Sequence, residues 1–160
     1  MPSLRRLALV LACAATLTAC AGSDKLSARQ PPGFVANAAE IVAATDWSDP
    51  ETITVSVVGH AFSPAELTFH RDRATRLVVV NATDSDHGIA ADQFFADIAV
   101  ERVSGPAGTA RAPWIEKLVV PAGQTKELWF VPARFGAYSF ECPATGHPSL
   151  GERGIINVVR

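Results

Sequence analysis

From residue 51 to the C-terminus the chain consists of short segments in which apolar and polar residues alternate and β-branched residues are frequent. Alternation of this kind predicts strands that bury one face. The strongest candidates are residues 52–58 (TITVSVV), 66–70 (ELTFH), 75–81 (TRLVVVN), 125–131 (TKELWFV), 136–142 (GAYSFEC) and 154–159 (GIINVV). Proline and glycine turn signals separate them, residues 92–100 predict a helical turn, and residues 105–113 predict a loop. The pattern therefore predicts an all-β sandwich or barrel.

Length and charge narrow the class of protein. The chain has 160 residues, which corresponds to about one domain. Its 48% of apolar and 19% of charged residues indicate a globular protein rather than a disordered one. The 14 Lys and Arg residues against 16 Asp and Glu residues give a net charge of −2. Phosphate-binding proteins carry a basic excess, so nucleic acid is not expected as a partner.

The N-terminus has the pattern of a secretory signal. Arg5 and Arg6 precede the apolar run 7–18, which is shorter than the roughly 20 residues that a membrane-spanning helix needs. The sequence Leu-Thr-Ala-Cys at residues 17–20 resembles the bacterial lipobox, in which the cysteine is lipidated and becomes the first residue. We therefore expect a signal peptide over residues 1–19 and a lipid on Cys20, which would anchor the protein on the periplasmic side of the envelope. Gly22 favours the outer over the inner membrane in a Gram-negative host. The alternative is a plain signal peptide with a chance cysteine.

The segment that follows differs in composition from both neighbours. Residues 20–50 are rich in Ala, Ser, Pro and Asp, and a Pro-Pro-Gly breaker occupies residues 31–33. Such a composition is typical of a flexible tether. Residues 36–44 favour a short helix within it, and residues 51–160 form the predicted folded domain.

Three cysteines are present, and only one of them is left for the folded domain. Cys13 would leave with the signal peptide and Cys20 would carry the lipid. Cys142 is then a single thiol in an oxidising compartment, where an unpaired cysteine needs a reason. It is a buried inert thiol, one half of an intermolecular disulfide, or a metal ligand.

The residues around Cys142 favour the third explanation. His147 follows five positions later across a Pro/Gly loop, and His87 lies just beyond the predicted strand 75–81. If the two strand ends lie side by side, one thiol and two imidazoles converge. This donor set suits copper in a trigonal site, whereas zinc usually takes a fourth strong ligand. No catalytic Ser-His-Asp order or phosphate-binding glycine loop has comparable support.

Several of these residues together resemble a known family, the cupredoxins or blue-copper proteins. The resemblance covers residues 51–160 and is carried by Phe62-Ser63-Pro64, His87-Gly88, the run Gly136-x-Tyr138-x-Phe140-x-Cys142 and Gly146-His147. It implies a Greek-key β-sandwich that holds one copper ion. It also implies that His87, Cys142 and His147 are the equatorial copper ligands.

The chain departs from the family pattern at two positions. Where the family has a methionine as weak axial ligand this chain has Glu152, and Met1 is its single methionine. A carboxylate is a harder, anionic donor that favours Cu(II) and lowers the reduction potential. Glu152 either binds the copper axially or turns outward, paired with a surface cation such as Arg153. Gly88 replaces an asparagine that ties the two ligand loops together in some members, and Asn81 or Ser85 is the candidate substitute.

The resemblance implies electron transfer by a copper ion that cycles between Cu(I) and Cu(II), without enzymatic turnover. The ring edge of His147 would be the electron port, inside an apolar docking patch formed by Ala144, Pro148 and Leu150 for a redox partner such as a cytochrome or an oxidase. A copper-binding or copper-delivery lipoprotein without redox duty, which would meet a copper-handling protein instead, is the competing class. A metal-free structural sandwich is a third.

The remaining histidines and aromatic residues receive plainer interpretations. His60 and His70 lie at a strand end and in a polar turn, so both are expected to be exposed and not to bind metal. The adjacent Phe94 and Phe95 are expected in the core or in a flap over it. Trp114 and Trp129 are expected to be packing residues.

Overall fold

The computed structural model describes residues 32–111 and 113–160 of the chain. Two helices occupy α1 Ala38–Ala44 and α2 Asp92–Ala96. The strands are β1 Glu51–Val58, β2 Ala61–Ser63, β3 Glu66–His70, β4 Thr75–Asn81, β5 His87–Ala90, β6 Ile98–Gly105, β7 Gly108–Ala110, β8 Lys117–Val120, β9 Thr125–Pro132, β10 Gly136–Glu141 and β11 Arg153–Val159. The first sheet has the order β2-β1-β4-β9-β6-β7, and the second has the order β3-β11-β10-β5-β8. The β-sandwich that the sequence predicts is confirmed.

The first sheet is built around β4, which pairs with β1 in parallel and with β9 in antiparallel orientation. Along β4, buried and half-buried residues alternate strictly, because successive side chains of a strand point to opposite faces. The parallel pairing has a consequence for function. Val57 near the end of β1 lies opposite Asn81 at the end of β4, so the β1–β2 turn and the loop after β4 lie at the same end of the sheet.

The second sheet brings the other loops to that end. β10 and β11 form an antiparallel pair from Gly136↔Val158 to Glu141↔Arg153, and residues 142–152 connect them. β5 is antiparallel to β10 through the pair Glu141↔Ala90. The end of β5, at Ala90, therefore lies opposite the end of β10, and the start of β5, at His87, runs alongside the residues that follow β10, of which Cys142 is the first. The sequence hypothesis required the ends of strands 75–81 and 136–142 to lie side by side. These strands, β4 and β10, belong to different sheets, and His87 instead reaches Cys142 through β5, which begins at His87 and pairs with β10.

Aromatic side chains fill the space between the sheets. Phe69 stacks on Phe94 with ring centroids 5.6 Å apart and meets Phe130 edge-on at 5.2 Å. Phe62 packs against Phe140 at 4.8 Å. Such pairs are favourable beyond the burial of their area. Phe94 and Phe95 of α2 are fully buried, which agrees with the core position expected of them.

The residues before β1 differ from the expected tether. Val35 and Ala38 are buried together with Ala99 of β6 and Val131 of β9, and Trp47 packs against the same cluster. Ala38, Ile41 and Val42 of α1 lie on one face, which makes contact with a sheet favourable despite the Ala-rich composition. For residues 35–47 the tether prediction is therefore corrected: this segment covers the outer face of the first sheet. The helix itself was predicted, two residues longer at its start.

Short and irregular strands account for the remaining differences. β2, β5, β7 and β8 have three or four residues each, too few for an alternating pattern to stand out. β6 begins with four consecutive buried residues, Ile98 to Glu101, so its start shows no alternation. The sequence therefore predicts a helical turn over residues 92–100, whereas the helix ends at Ala96 and residues 98–100 belong to β6. β7 forms a hairpin with β6 inside the expected loop 105–113.

The signal peptide, the lipidation site at Cys20 and the tether up to residue 31 lie outside the described residues. Within the described ranges no helix is long and apolar enough to cross a bilayer.

Candidate metal centre

The loop between β10 and β11 is folded back on itself by backbone hydrogen bonds. The N–H of Cys142 donates to the carbonyl of Glu152 at 3.1 Å, and the N–H of Glu152 donates to the carbonyl of His147 at 3.3 Å. A 3-10 turn, His147–Leu150, lies between them and is flanked by Gly146 and Gly151 with φ of 84° and 93°. Other residues adopt such angles only with strain. The loop thus holds a thiol, an imidazole and a carboxylate close together.

Four donor side chains meet at this end of the sandwich: His87, Cys142, His147 and Glu152, together called here the four-donor cluster. Their ligand atoms all lie within 4.8 Å of one another. Nδ1 of His87 lies 2.7 Å from Oε1 of Glu152, and Nδ1 of His147 lies 3.1 Å from Oε2. Sγ of Cys142 lies 3.6 Å from Nδ1 of His147 and 3.9 Å from Nδ1 of His87.

The geometry of the four-donor cluster fits a single metal ion. Donors bound to one first-row metal ion at about 2.0–2.3 Å stand roughly 3–4 Å apart, close to the separations found here. Both imidazoles turn the same nitrogen, Nδ1, toward the common point. A thiol, two imidazoles and a carboxylate can bind copper or zinc, and the thiol and imidazoles are the soft and intermediate donors that copper prefers.

Glu152 points into the protein. Its side chain is fully buried and contacts both histidines of the four-donor cluster, so the alternative in which it faces solvent is excluded. Arg153, which the sequence offers as a surface partner of Glu152, instead has its Nε 3.5 Å from Oε2 of Glu141. A buried carboxylate needs charged or hydrogen-bonding partners to offset its lost hydration. The histidines supply them here, and a metal ion would supply them when bound.

Cys142 is buried at the inner side of the cluster and packs against the hydrophobic core. Among the described residues it is the one free cysteine. Burial raises the pKa of its thiol, while the N–H of Ala144, 3.5 Å from Sγ, acts in the opposite direction. The metal-free protein therefore keeps a protonated thiol at neutral pH, and metal binding displaces this proton. Burial also leaves little room for a disulfide with another chain.

His87 is held by residues on the loop that precedes it. Its ring is buried, and Nε2 lies 3.1 Å from Oγ of Ser85. In the metal-bound state, where the ion would take the place of the proton that Nδ1 shares with Glu152, a proton on Nε2 can donate to this hydroxyl and hold the ring in place. Asn81, also buried, donates from Nδ2 to the carbonyls of Ser85, Val120 and Pro121. These bonds fix the His87 loop to the end of β8. The sequence suggests that Asn81 or Ser85 ties the two ligand loops together. In the structure the bonds of Asn81 instead join the His87 loop to the end of β8, and Ser85 contacts His87 within that same loop.

His147 lies at the outer side of the cluster, with 17% of its side chain exposed. In the predicted docking patch, Leu150 is exposed, while Ala144 and Pro148 are half-buried. Ala144 packs against the core, so only part of it reaches the surface. The role of these three residues in docking stays a prediction.

Sequence reasoning missed the position of His60. Its side chain is 46% exposed, as expected, but Nδ1 lies 3.9 Å from Oε2 of Glu152. Its ring centroid lies 4.8 Å from that of His147. The parallel pairing of β1 with β4 brings His60 to this end of the sandwich, and sequence patterns do not reveal that pairing. His70 lies elsewhere, with Nδ1 3.0 Å from Oε1 of Glu51.

Comparison with solved structures finds similar folds. Auracyanin B is 18% identical, with a TM-score of 0.51, over 72% of this chain and 94% of the other. Reduced auracyanin from the photosynthetic bacterium Roseiflexus castenholzii is 18% identical, with a TM-score of 0.50, over 68% and 97%. A laccase from Pediococcus acidilactici is 12% identical, with a TM-score of 0.57; the match covers 72% of this chain but 28% of that enzyme. No family model and no curated protein sequence matches the chain.

The auracyanins and this chain share a fold, the cupredoxin β-sandwich. Identities below one fifth establish the architecture and not the activity. The fold resemblance stated from the sequence is thereby confirmed. What this chain does has to be argued from its own four-donor cluster.

Proposed function

We propose that this protein is a mononuclear copper protein that transfers electrons. The observation that carries the proposal is the convergence of one thiol, two Nδ1 atoms and one carboxylate within 4.8 Å at a buried end of the sandwich. Cys142, His87 and His147 would hold the ion, with Glu152 as the fourth donor. When bound, the copper supplies a one-electron Cu(I)/Cu(II) couple.

The chain's own contribution is to hold the donors still. His87 is braced by Ser85 and indirectly by Asn81, Cys142 is packed in the core, and backbone hydrogen bonds fold the loop that carries His147. Donors that move little between two oxidation states need little reorganisation for each transfer. The partly exposed ring of His147 offers the way to the surface for an electron. With four protein donors at one point, we propose a carrier and not an enzyme.

One observation favours a second function, copper binding or delivery without a redox role. Glu152 is buried and lies within hydrogen-bonding distance of both cluster histidines, so it is placed to bind the ion directly. An anionic oxygen donor stabilises Cu(II) over Cu(I) and so biases the site toward one oxidation state. The reduction potential separates the two functions: an electron carrier must cycle within the range of its partners, whereas a delivery protein need not.

Absorption and EPR spectra of the purified chain titrated with Cu(II) test the proposal. We expect an intense thiolate-to-copper band that saturates at one equivalent of copper, followed by reversible reduction and reoxidation. A spectrum without a thiolate band would overturn the copper site. A thiolate band with no reversible reduction would favour copper handling over electron transfer.

We also propose that the protein acts at the periplasmic side of the envelope, held by a lipid on Cys20, where it meets a redox partner protein such as a cytochrome or an oxidase. The lipobox-like residues 17–20 support the anchor. A redox partner is expected because any electron carrier needs a protein with which it exchanges electrons. Membrane fractionation of the unaltered chain and of Cys20→Ala tests the anchor. We expect the variant in the soluble fraction with copper binding intact; an unaltered chain that is fully soluble would exclude the anchor.

A further inference from the structure

His60 lies at the tip of a two-residue hairpin turn next to the four-donor cluster. Val58 pairs with Ala61 across this turn, so Gly59 and His60 connect β1 directly to β2. Gly59 has φ of 59°, a left-handed conformation that glycine adopts without strain. A hairpin this short leaves the turn little freedom. The position of His60 is therefore set by the pairing of the two strands.

The ring of His60 is directed at the cluster from the solvent side. Nδ1 lies 3.9 Å from Oε2 of Glu152, the same oxygen that lies 3.0 Å from Nδ1 of His87 and 3.1 Å from Nδ1 of His147. One carboxylate oxygen is therefore surrounded by three imidazole nitrogens of the same kind. The ring centroids of His60 and His147 are 4.8 Å apart, and those of His60 and His87 are 6.1 Å apart.

Nδ1 of His60 lies at donor-to-donor distance from one of the four donors, Oε2 of Glu152, while His60 itself stands outside the group whose ligand atoms all lie within 4.8 Å of one another. Two donors on one first-row metal ion stand roughly 3–4 Å apart, and 3.9 Å from His60 to Glu152 lies in that range. At 3.9 Å the contact with Glu152 is longer than a hydrogen bond and is that of an ion pair when the imidazole is protonated. Within the described part of the chain, Glu152 is the one acidic group in contact with His60.

We propose that His60 is a fifth ligand that binds the metal ion in its Cu(II) state. The inference rests on the copper site proposed above, and because a donor that binds one oxidation state alone adds reorganisation to each electron transfer, it favours copper handling over electron transfer. Cu(II) favours tetragonal sets of nitrogen and oxygen donors, and His60 with Glu152 adds one of each to the thiol and the two buried imidazoles. Cu(I) favours fewer and softer donors, so His60 contributes little to its binding.

Counting coordinated imidazoles tests the proposal directly. Pulsed EPR of the full chain loaded with one equivalent of Cu(II) distinguishes three coordinated imidazoles from two. The variants are His60→Ala and, as the matched control, His70→Ala, which removes a partly exposed histidine that lies away from the cluster and is paired with Glu51. Competitive titrations with Cu(II) and Cu(I) measure the affinity of each oxidation state. Absorption spectra of the Co(II)-loaded unaltered chain report five- or four-coordination without any substitution.

We expect three imidazoles in the unaltered chain and in His70→Ala, and two in His60→Ala. We also expect Cu(II) affinity to fall roughly 10-fold or more in His60→Ala while Cu(I) affinity stays within about 3-fold. Two imidazoles in the unaltered chain, or four-coordinate Co(II), would overturn the role of His60. Failure of the copper site is a separate result, a missing thiolate band in the unaltered chain.

Discussion

Nδ1 of His87 lies 2.7 Å from Oε1 of Glu152, and both side chains are buried. A thiol and a second imidazole lie beside this pair, so the carboxylate is placed to bind a metal ion. Its contribution to folding stability is expected to be small. Replacing a buried ionic group by an apolar one of similar volume is often neutral or stabilising. The burial of Glu152 therefore adds little to folding stability by itself, which supports the proposal that this carboxylate binds a metal ion.

The first prediction concerns the charge of Glu152. Glu152→Gln keeps the size of the side chain and an oxygen donor but removes the negative charge. We expect Cu(II) affinity to fall roughly 10–100-fold, the range for altered groups around a metal site, and the reduction potential to rise because Cu(II) loses more than Cu(I). Competitive Cu(II) titration and a redox titration measure both. Glu141→Gln, at an exposed carboxylate next to Arg153, is the control and should change neither. Equal behaviour of the two variants would mean that Glu152 is not a ligand.

The second prediction concerns the thiol. In Cys142→Ser a hydroxyl replaces the soft sulfur donor in the same buried space, so we expect the thiolate-to-copper band to disappear completely. Circular dichroism should show an unchanged β-sandwich, because the substitution alters one atom. Cys20→Ala, which removes a thiol that lies outside the described residues, should keep the full band. If Cys142→Ser retained the band, another residue would have to be the chromophore.

The third prediction concerns Ser85, which positions His87 without reaching the metal. Removing its hydroxyl in Ser85→Ala leaves Nε2 of His87 without its 3.1 Å partner, so the tautomer with a free Nδ1 is less favoured. We expect metal affinity to fall roughly 10-fold, near the lower end for such orienting groups, with a small shift of the thiolate band. Ser139→Ala, at an exposed position of β10, is the matched control. If the thiolate band of Ser85→Ala were unshifted, Ser85 would not position His87.

The fourth prediction concerns Asn81, which braces the His87 loop. Its Nδ2 lies 2.8 Å from the carbonyl of Ser85 and 2.9 Å from that of Val120, and its Oδ1 accepts from the N–H of Thr83 at 3.1 Å. Asn81→Ala leaves these two carbonyls and this N–H without their hydrogen-bond partner. We therefore expect the free energy of unfolding to fall by about 2–3 kcal/mol. Urea unfolding of the metal-free chain measures it. Asn157→Ala removes an exposed bond and should change stability by about 0.5 kcal/mol or less. Similar losses in both variants would contradict a bracing role.

The sequence predicts those strands best in which alternation is strong. The bounds of residues 66–70 and 75–81 coincide with β3 and β4, whose burial alternates along their length. The pattern fails for β6, since its first residues are buried on both faces beneath α1 and between the sheets. For α1 the sequence predicts the helix but not its packing, because an Ala-rich segment becomes part of the fold only through a sheet face that is assembled from distant strands.

The candidate site divides in the same way. The spacing of Cys142, His147 and Glu152 is local, so one loop in the sequence contains three of the four donors. Whether Glu152 faces inward depends on where His87 lies, and this depends on the pairing of β5 with β10. The position of His60 depends on the parallel pairing of β1 with β4, a long-range contact that no local pattern encodes.

The last prediction uses Tyr138, the single tyrosine of the chain. Burial, followed by the hydrogen bond that its hydroxyl donates to Oδ2 of Asp97 at 2.9 Å, raises the pKa of Tyr138 to about 12. In the unfolded chain the pKa is about 10, so between these values only the unfolded state releases the proton. The unfolded state then binds fewer protons than the folded one, and the free energy of unfolding falls as the pH rises. This contribution is complete below about pH 10 and is lost as the pH passes about 12. Tyrosinate absorbance should therefore titrate near pH 12, and urea unfolding should show a decline from about pH 10 to pH 12 that is smaller in Tyr138→Phe. A tyrosinate midpoint near pH 10 in the folded protein would contradict both the burial of the phenol and its hydrogen bond to Asp97.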